Sequence, residues 1–222
     1  MESYRSEEEQ VEALKRWWKE NGRSTMIGVV LALGLGFGWQ GWQKNQELAA
    51  ESASNLYQQM LQALSAEEDQ GTTIGRQIAV ELKDSHRGSV YAQFAAMHLA
   101  RLAVNDGQPQ VAEQELRWTL AMADAGDDVQ QVAQLRLARV LASQDKQEEA
   151  LGLLEGAITD FIASYAMARG DILLSQGLEA EAFDAYETAA GALEVGSPMP
   201  QTLQDKLEYL GARLQPAVAE AG

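Results

Sequence analysis

Three stretches of this chain repeat the same residue types at the same offsets. With Ala100, Ala138 and Gly170 in register, steps of seven, twelve, sixteen and nineteen residues reach Gly107, Ala112, Leu116 and Thr119 in the first copy. The second copy gives Asp145, Ala150, Leu154 and Ala157, and the third gives Gly177, Ala182, Tyr186 and Ala189. Such spacing describes two helices and a turn. The small residues let the first helix approach the second, the Gly/Asp/Gly position supplies the turn, and the large residue fills the space between neighbouring units. An irregular helical bundle is the competing arrangement, and the constancy of the offsets argues against it.

The pattern resembles the tetratricopeptide repeat, a helix-turn-helix unit. Two departures stand out: the aromatic early in the first helix is weak or missing, and the closing proline is absent from the first two copies. The copies start 38 and then 32 residues apart, which puts the variation in inter-unit loops, the longer being Ala123 to Asp128. A stack of such units must cover its terminal apolar faces. Leu203, Leu207, Leu210 and Leu214 lie at helical spacing in Pro198 to Gln215 and make a C-terminal cap, with residues 216–222 expected to fray. At the other end, a helix over 44–66, a loop over Glu67 to Thr73 marked by Gly71, and a short helix over Ile74 to Lys83 form a degenerate leading hairpin. The expected fold is all-α, a helical-hairpin solenoid.

Ahead of the repeats, Ser24 to Gln43 is a run of 20 residues without a charge. As a helix it spans about 30 Å, the hydrocarbon thickness of a bilayer. Trp17 and Trp18 at one end, and Trp39 and Trp42 at the other, suit the two interfaces. A buried core helix fits this length and these belts poorly. A cleaved signal peptide would need a short basic leader, but 23 residues with six acids precede the run, and Leu48-Ala49-Ala50 is a poor cleavage site. Arg5, Lys15, Arg16, Lys19 and Arg23 precede it and Lys44 alone follows closely, which predicts a cytoplasmic N-terminus. Within the N-terminal segment, Ser6-Glu7-Glu8-Glu9 reads as a capping box opening a short amphipathic helix that Asn21-Gly22 ends.

The expected organisation is therefore 1–23 cytoplasmic tail, 24–43 transmembrane helix, 44–88 connecting helix and leading hairpin, 89–197 three repeats, and 198–222 cap and tail. Gly34 and Gly38 form a small-xxx-small face on the span, suited to packing against another membrane helix.

Residues 44–222 carry 12 basic and 27 acidic residues, net −15, which disfavours nucleic acid as a partner. Without cysteine there is no disulfide or thiolate chemistry. The two histidines, His86 and His98, have no carboxylate at ligand spacing, and no nucleophile, phosphate-loop or metal motif is present. The sequence therefore predicts no catalytic residue, cofactor or metal, and points away from an enzyme. Recognition remains. By resemblance to tetratricopeptide grooves, the candidate partner-binding positions are Phe94, Met97, Arg101 and Asn105 in copy one, Val132, Leu135, Arg139 and Ser143 in copy two, and Met167, Asp171 and Ser175 in copy three. Arg101 and Arg139 are open to two readings. They hold a carboxylate or backbone carbonyls of a partner, or they pair with neighbouring acids such as Asp171.

The segment VEALKRWWKENG, the span ending Trp39-Gln40-Gly41-Trp42, and LRLARV over Leu135 to Val140 together resemble the YfgM family over essentially the whole chain. That resemblance implies an ancillary subunit of the SecYEG translocon: a single-pass protein of the bacterial inner membrane with its repeat domain in the periplasm. It implies association with a PpiD-like periplasmic chaperone and a part in handling newly translocated proteins. The alternative from the residues is a membrane-anchored regulator whose cytoplasmic tail sequesters a stress-response regulator.

Overall fold

The computed structural model describes residues 7–66, 69–156, 159–193 and 196–219. Arg5, Ser6 of the capping box, Glu67 and Glu68 of the expected loop, Ala157 and the last three residues lie outside them. Among the described residues there are nine α-helices and no strand: α1 (Glu7–Ser65), α2 (Asp69–Ser85), α3 (Val90–Asn105), α4 (Pro109–Met122), α5 (Asp128–Ala142), α6 (Gln147–Leu153), α7 (Ile162–Ser175), α8 (Glu179–Gly191) and α9 (Gln201–Ala219). A 3-10 turn, Thr159–Phe161, precedes α7. Two compact units divide the chain, 1–52 and 53–222.

In the first unit the helix does not stop at Asn21-Gly22. Asn21 Nδ2 instead donates to the Trp17 carbonyl at 3.2 Å, and the Trp18 indole lies over Gly22, 3.3 Å from where a Cβ would stand. A mid-helix glycine costs only about 1 kcal/mol. The apolar run that follows is helical throughout, and no part of its most apolar window is buried. Trp17 stacks near Trp18 and Trp39 near Trp42, with ring centres 6.3 and 5.1 Å apart. No side chain comes within 4 Å of a Cβ placed on Gly34 or Gly38.

The second unit is a stack in which each helix from α2 to α9 packs on the next, while α3 contacts α5 and α5 contacts α7. The register seen in the sequence is physical. Ala100, Ala138, Ala112, Ala150, Ala182, Leu116, Leu154 and Tyr186 are all buried, and Gly170 with them. Gly107, Asp145 and Gly177 sit at φ of 69°, 59° and 77°, the left-handed region that ends a helix. In each case the next residue's amide closes the turn. Gln108, Lys146 and Leu178 donate to the carbonyls of Ala103, Leu141 and Leu173 at 2.8, 3.0 and 3.1 Å.

Two boundaries differ from expectation. The Glu67 to Thr73 stretch is not a loop beyond Asp69, because α2 already starts there. A Cβ on Gly71 would stand 2.6 Å from the Ala63 carbonyl oxygen, so this glycine permits close packing of the leading hairpin. That hairpin builds its own core from Ala53, Met60, Ala79 and Leu82, shared with Ala95 and Leu99 of α3. At the C-terminus α9 continues through residues 216–219, and its Leu203 and Leu210 are fully covered.

Ion pairs bridge successive units. Arg76 meets Asp106 at 2.5 Å, Lys146 meets Glu113 at 2.7 Å, Arg117 meets Glu149 at 2.5 Å, and Arg213 meets Glu179 at 2.7 Å. Glu113 is the hub of this set, accepting from Lys146, Arg117 and Gln144. Chiefly the Lys146 hydrogen bond, then those from Arg117 and Gln144, hold its carboxyl down at about 2 against an ordinary 4.5, although burial opposes them. A carboxyl depressed by folding contributes stability that is complete above pH 4.5 and is lost as pH falls toward 2. The expected outcome is that Glu113→Gln lowers the urea midpoint at neutral pH. The gap to the parent should close across that acid window, and a gap independent of pH would contradict the linkage.

Candidate functional site

The first helices of the first two repeats, α3 and α5, flank a groove of about 720 Å³. Met97, Ala100, Arg101, Val104 and Asn105 come from α3, and Arg136, Arg139, Val140 and Ser143 from α5, with Leu116 of α4 beneath. Helical periodicity explains the grouping, since residues three and four apart share a face. A second lobe of about 370 Å³ shares Met97, Arg101 and Arg136 with the first, and adds Tyr57, Phe94, His98, Asp128 and Val132. The two lobes adjoin along α3 and α5 at these three shared side chains and together make up a channel.

Seven of the sequence candidates are brought together here: Phe94, Met97, Arg101, Asn105, Val132, Arg139 and Ser143. The other four lie elsewhere. Leu135 belongs to the core that runs from α3 to α7. Met167, partly buried, packs against the core of the third repeat and cap that contains Leu173 and Tyr186. Asp171 accepts from the Tyr186 hydroxyl at 2.7 Å and from Lys206, so α8 and α9 have claimed it. Ser175 donates to the Ile172 carbonyl at 2.6 Å. In copy three the hairpin and cap take up Met167 and Asp171, and Ser175 lines neither lobe.

Neither Arg101 nor Arg139 makes an ion pair among the described residues, so the pairing with Asp171 does not form. Between them lies Arg136, which is absent from the positions that tetratricopeptide grooves imply. It is three residues before Arg139 and therefore on the same face, so helical spacing alone is the signal that identifies it. Partial desolvation of the otherwise exposed side chain against the groove, and then the positive charges of Arg101 and Arg139, push its guanidinium below the ordinary arginine range. His98 faces the same channel with its Nε2 3.4 Å from the Tyr57 hydroxyl oxygen. Burial first, then Arg101 and Arg136, lower its pKa from 6.5. In an NMR titration the His98 imidazole is expected to titrate below 6.5, and Arg101→Gln to move it upward. A midpoint insensitive to that change would mean the arginine does not reach it.

The site offers an apolar channel edged with positive charge. Among the described residues, no three His, Asp or Glu side chains come together as a metal site.

The sequence profile of a family described as a tetratricopeptide repeat-like domain matches residues 15–212. The chain is 32% identical over 212 residues to a protein of Escherichia coli (strain K12) named ancillary SecYEG translocon subunit, across 95% of this chain and 99% of that protein. A protein of the same name from Aggregatibacter actinomycetemcomitans is 32% identical over 193 residues, 85% of this chain and 92% of its own length. The one from Haemophilus influenzae is 28% identical over 199 residues, 89% and 93% respectively. No solved structure matches the chain.

Proposed function

We propose that this chain, which belongs to the tetratricopeptide repeat-like family of ancillary SecYEG translocon subunits, is a non-catalytic scaffold of the inner membrane at the translocon. In this reading residues 24–43 span the bilayer once, the N-terminus is cytoplasmic, and the repeat domain stands in the periplasm. The channel along α3 and α5 then receives a PpiD-like chaperone or a newly translocated chain.

The observation that carries the reading is that channel, open and lined by apolar and cationic side chains, in a chain that also has a membrane-length helix with none of its apolar window buried. Tethering raises the effective concentration of the channel toward segments emerging nearby. Recognition therefore needs only modest intrinsic affinity. Gly34 and Gly38, bare on the span, offer a face where a second membrane helix packs closely.

Photocrosslinking tests this directly. A photoreactive residue at Phe94, Val104 or Val132 is expected to capture translocon or chaperone subunits in intact membranes, whereas the same probe at Ser175, off the channel, captures far less. Equal capture from Ser175 would remove the channel from the mechanism. A reporter fused after the last residue is expected to behave as periplasmic, and a cytoplasmic signal would overturn the orientation.

A further inference from the structure

Of the twelve basic residues that follow Gln43, six are taken up in ion pairs among the described residues: Arg76, Lys83, Arg117, Lys146, Lys206 and Arg213. Three of the remaining six, Arg101, Arg136 and Arg139, line one channel, in a domain whose net charge is −15. Acids elsewhere on the domain are plentiful, yet none of the described ones pairs with these three. We infer that the channel is an acidic-segment receptor: Arg101, Arg136 and Arg139 take two or more side-chain carboxylates of a partner polypeptide, while its interleaved apolar side chains lie on Met97, Val104 and Val140.

Charge complementarity chooses the occupant. Arg136 and Arg139 are one helical turn apart on α5, and Arg101 of α3 lines the same groove, so three neighbouring cations border it. A single terminal carboxylate would satisfy one or two of them. A segment with acids on one face satisfies all three, and guanidinium forks bind carboxylates in bidentate fashion. Apolar walls between the cations require apolar side chains between the acids, which an inorganic anion or a polyanionic nucleic acid lacks. The acidic exterior around the channel repels a broad anionic surface such as a lipid headgroup layer. Empty, the channel holds like charges against one another; an anionic occupant relieves that repulsion as it binds.

This inference rests on the channel being the docking site, and its test separates the two. A fluorescein-labelled peptide alternating glutamate and leucine, amidated at its C-terminus, is titrated with the full chain in detergent. Its counterpart with glutamine in place of glutamate is run beside it. The glutamate peptide is expected to bind at least about tenfold more tightly, to weaken steeply with added salt, and to lose that advantage in Arg101→Gln/Arg136→Gln/Arg139→Gln. Because all three side chains are exposed, the triple variant is expected to melt no lower than the parent, which keeps misfolding out of the comparison.

Equal binding of the two peptides would overturn the inference and leave the docking channel standing. Failure of both to bind would overturn it as well, with the photocrosslinks then deciding the channel itself. Arginine-dependent binding to phosphatidylglycerol vesicles without peptide binding would also overturn it, in favour of a lipid surface.

Discussion

Replacing Leu31 and Leu35 together with arginine is expected to release the chain from membranes. The parent should float with lipid vesicles in a density gradient and the variant should stay at the bottom. Leu31 and Leu35 are 60% and 75% exposed in a helix whose apolar window has no buried residue, so among the described residues no other part of this chain covers them. Near the middle of a span each arginine costs about 3 kcal/mol relative to leaving the membrane, and each lost leucine removes about 0.5 kcal/mol more. The combined change is about 7 kcal/mol. Five glycines within Ser24 to Gln43 already dilute the segment, so its margin for insertion is small. Flotation distinguishes insertion from aggregation, and a floating variant would contradict a spanning role for this segment. Without the span the channel would lose its local concentration advantage at the translocon, and the scaffold reading predicts loss of crosslinks from Phe94 as well.

Gly170→Ala is expected to destabilise the third repeat by about 3 kcal/mol, the upper range for forcing a methyl group into a packed interior. A Cβ at that position would stand 2.5 Å from Cε1 and 2.6 Å from Cδ1 of Tyr186. The ring has nowhere to go. Tyr186 is fully buried, its hydroxyl donates to Asp171 at 2.7 Å, and the Lys206 ammonium lies 5.2 Å from the ring centre. The melting temperature followed by circular dichroism should fall by roughly 6–12 °C. The other two copies suggest the remedy, since they pair Ala100 with Leu116 and Ala138 with Leu154 at the same two positions. Adding Tyr186→Leu to Gly170→Ala is expected to recover most of the loss, whereas Tyr186→Leu alone leaves a gap above Gly170 and destabilises. If Gly170→Ala melts with the parent, the two positions are not coupled.

That pairing is legible in the sequence, because an internal repeat reports which positions must fit together. The turn residues Gly107, Asp145 and Gly177 are legible for the same reason: each copy needs a left-handed residue where its first helix ends. Helix boundaries are less so. Asn21-Gly22 and Gly71 carry the same local signal as a true stop, yet the first lies within a helix under Trp18 and the second within a close helix contact. Local chemistry cannot distinguish a glycine that breaks a helix from one that lets another element approach. The candidate channel is half legible. The resemblance to tetratricopeptide grooves implies Phe94, Met97, Arg101, Asn105, Val132, Arg139 and Ser143, and helical periodicity, carried one turn back from Arg139, reaches Arg136.

The sequence alone determined the all-helical fold, the unit of repetition and the membrane-length segment, since each depends on residue spacing along the chain. Tertiary structure decided which helix faces remain uncovered. α8 and α9 engage Asp171 and the core around Tyr186 takes in Met167, while α3 and α5 keep a channel open between them. It also decided which arginines find acids and which do not, because an ion pair depends on residues far apart in the chain meeting in space, as Arg76 meets Asp106 and Lys146 meets Glu113.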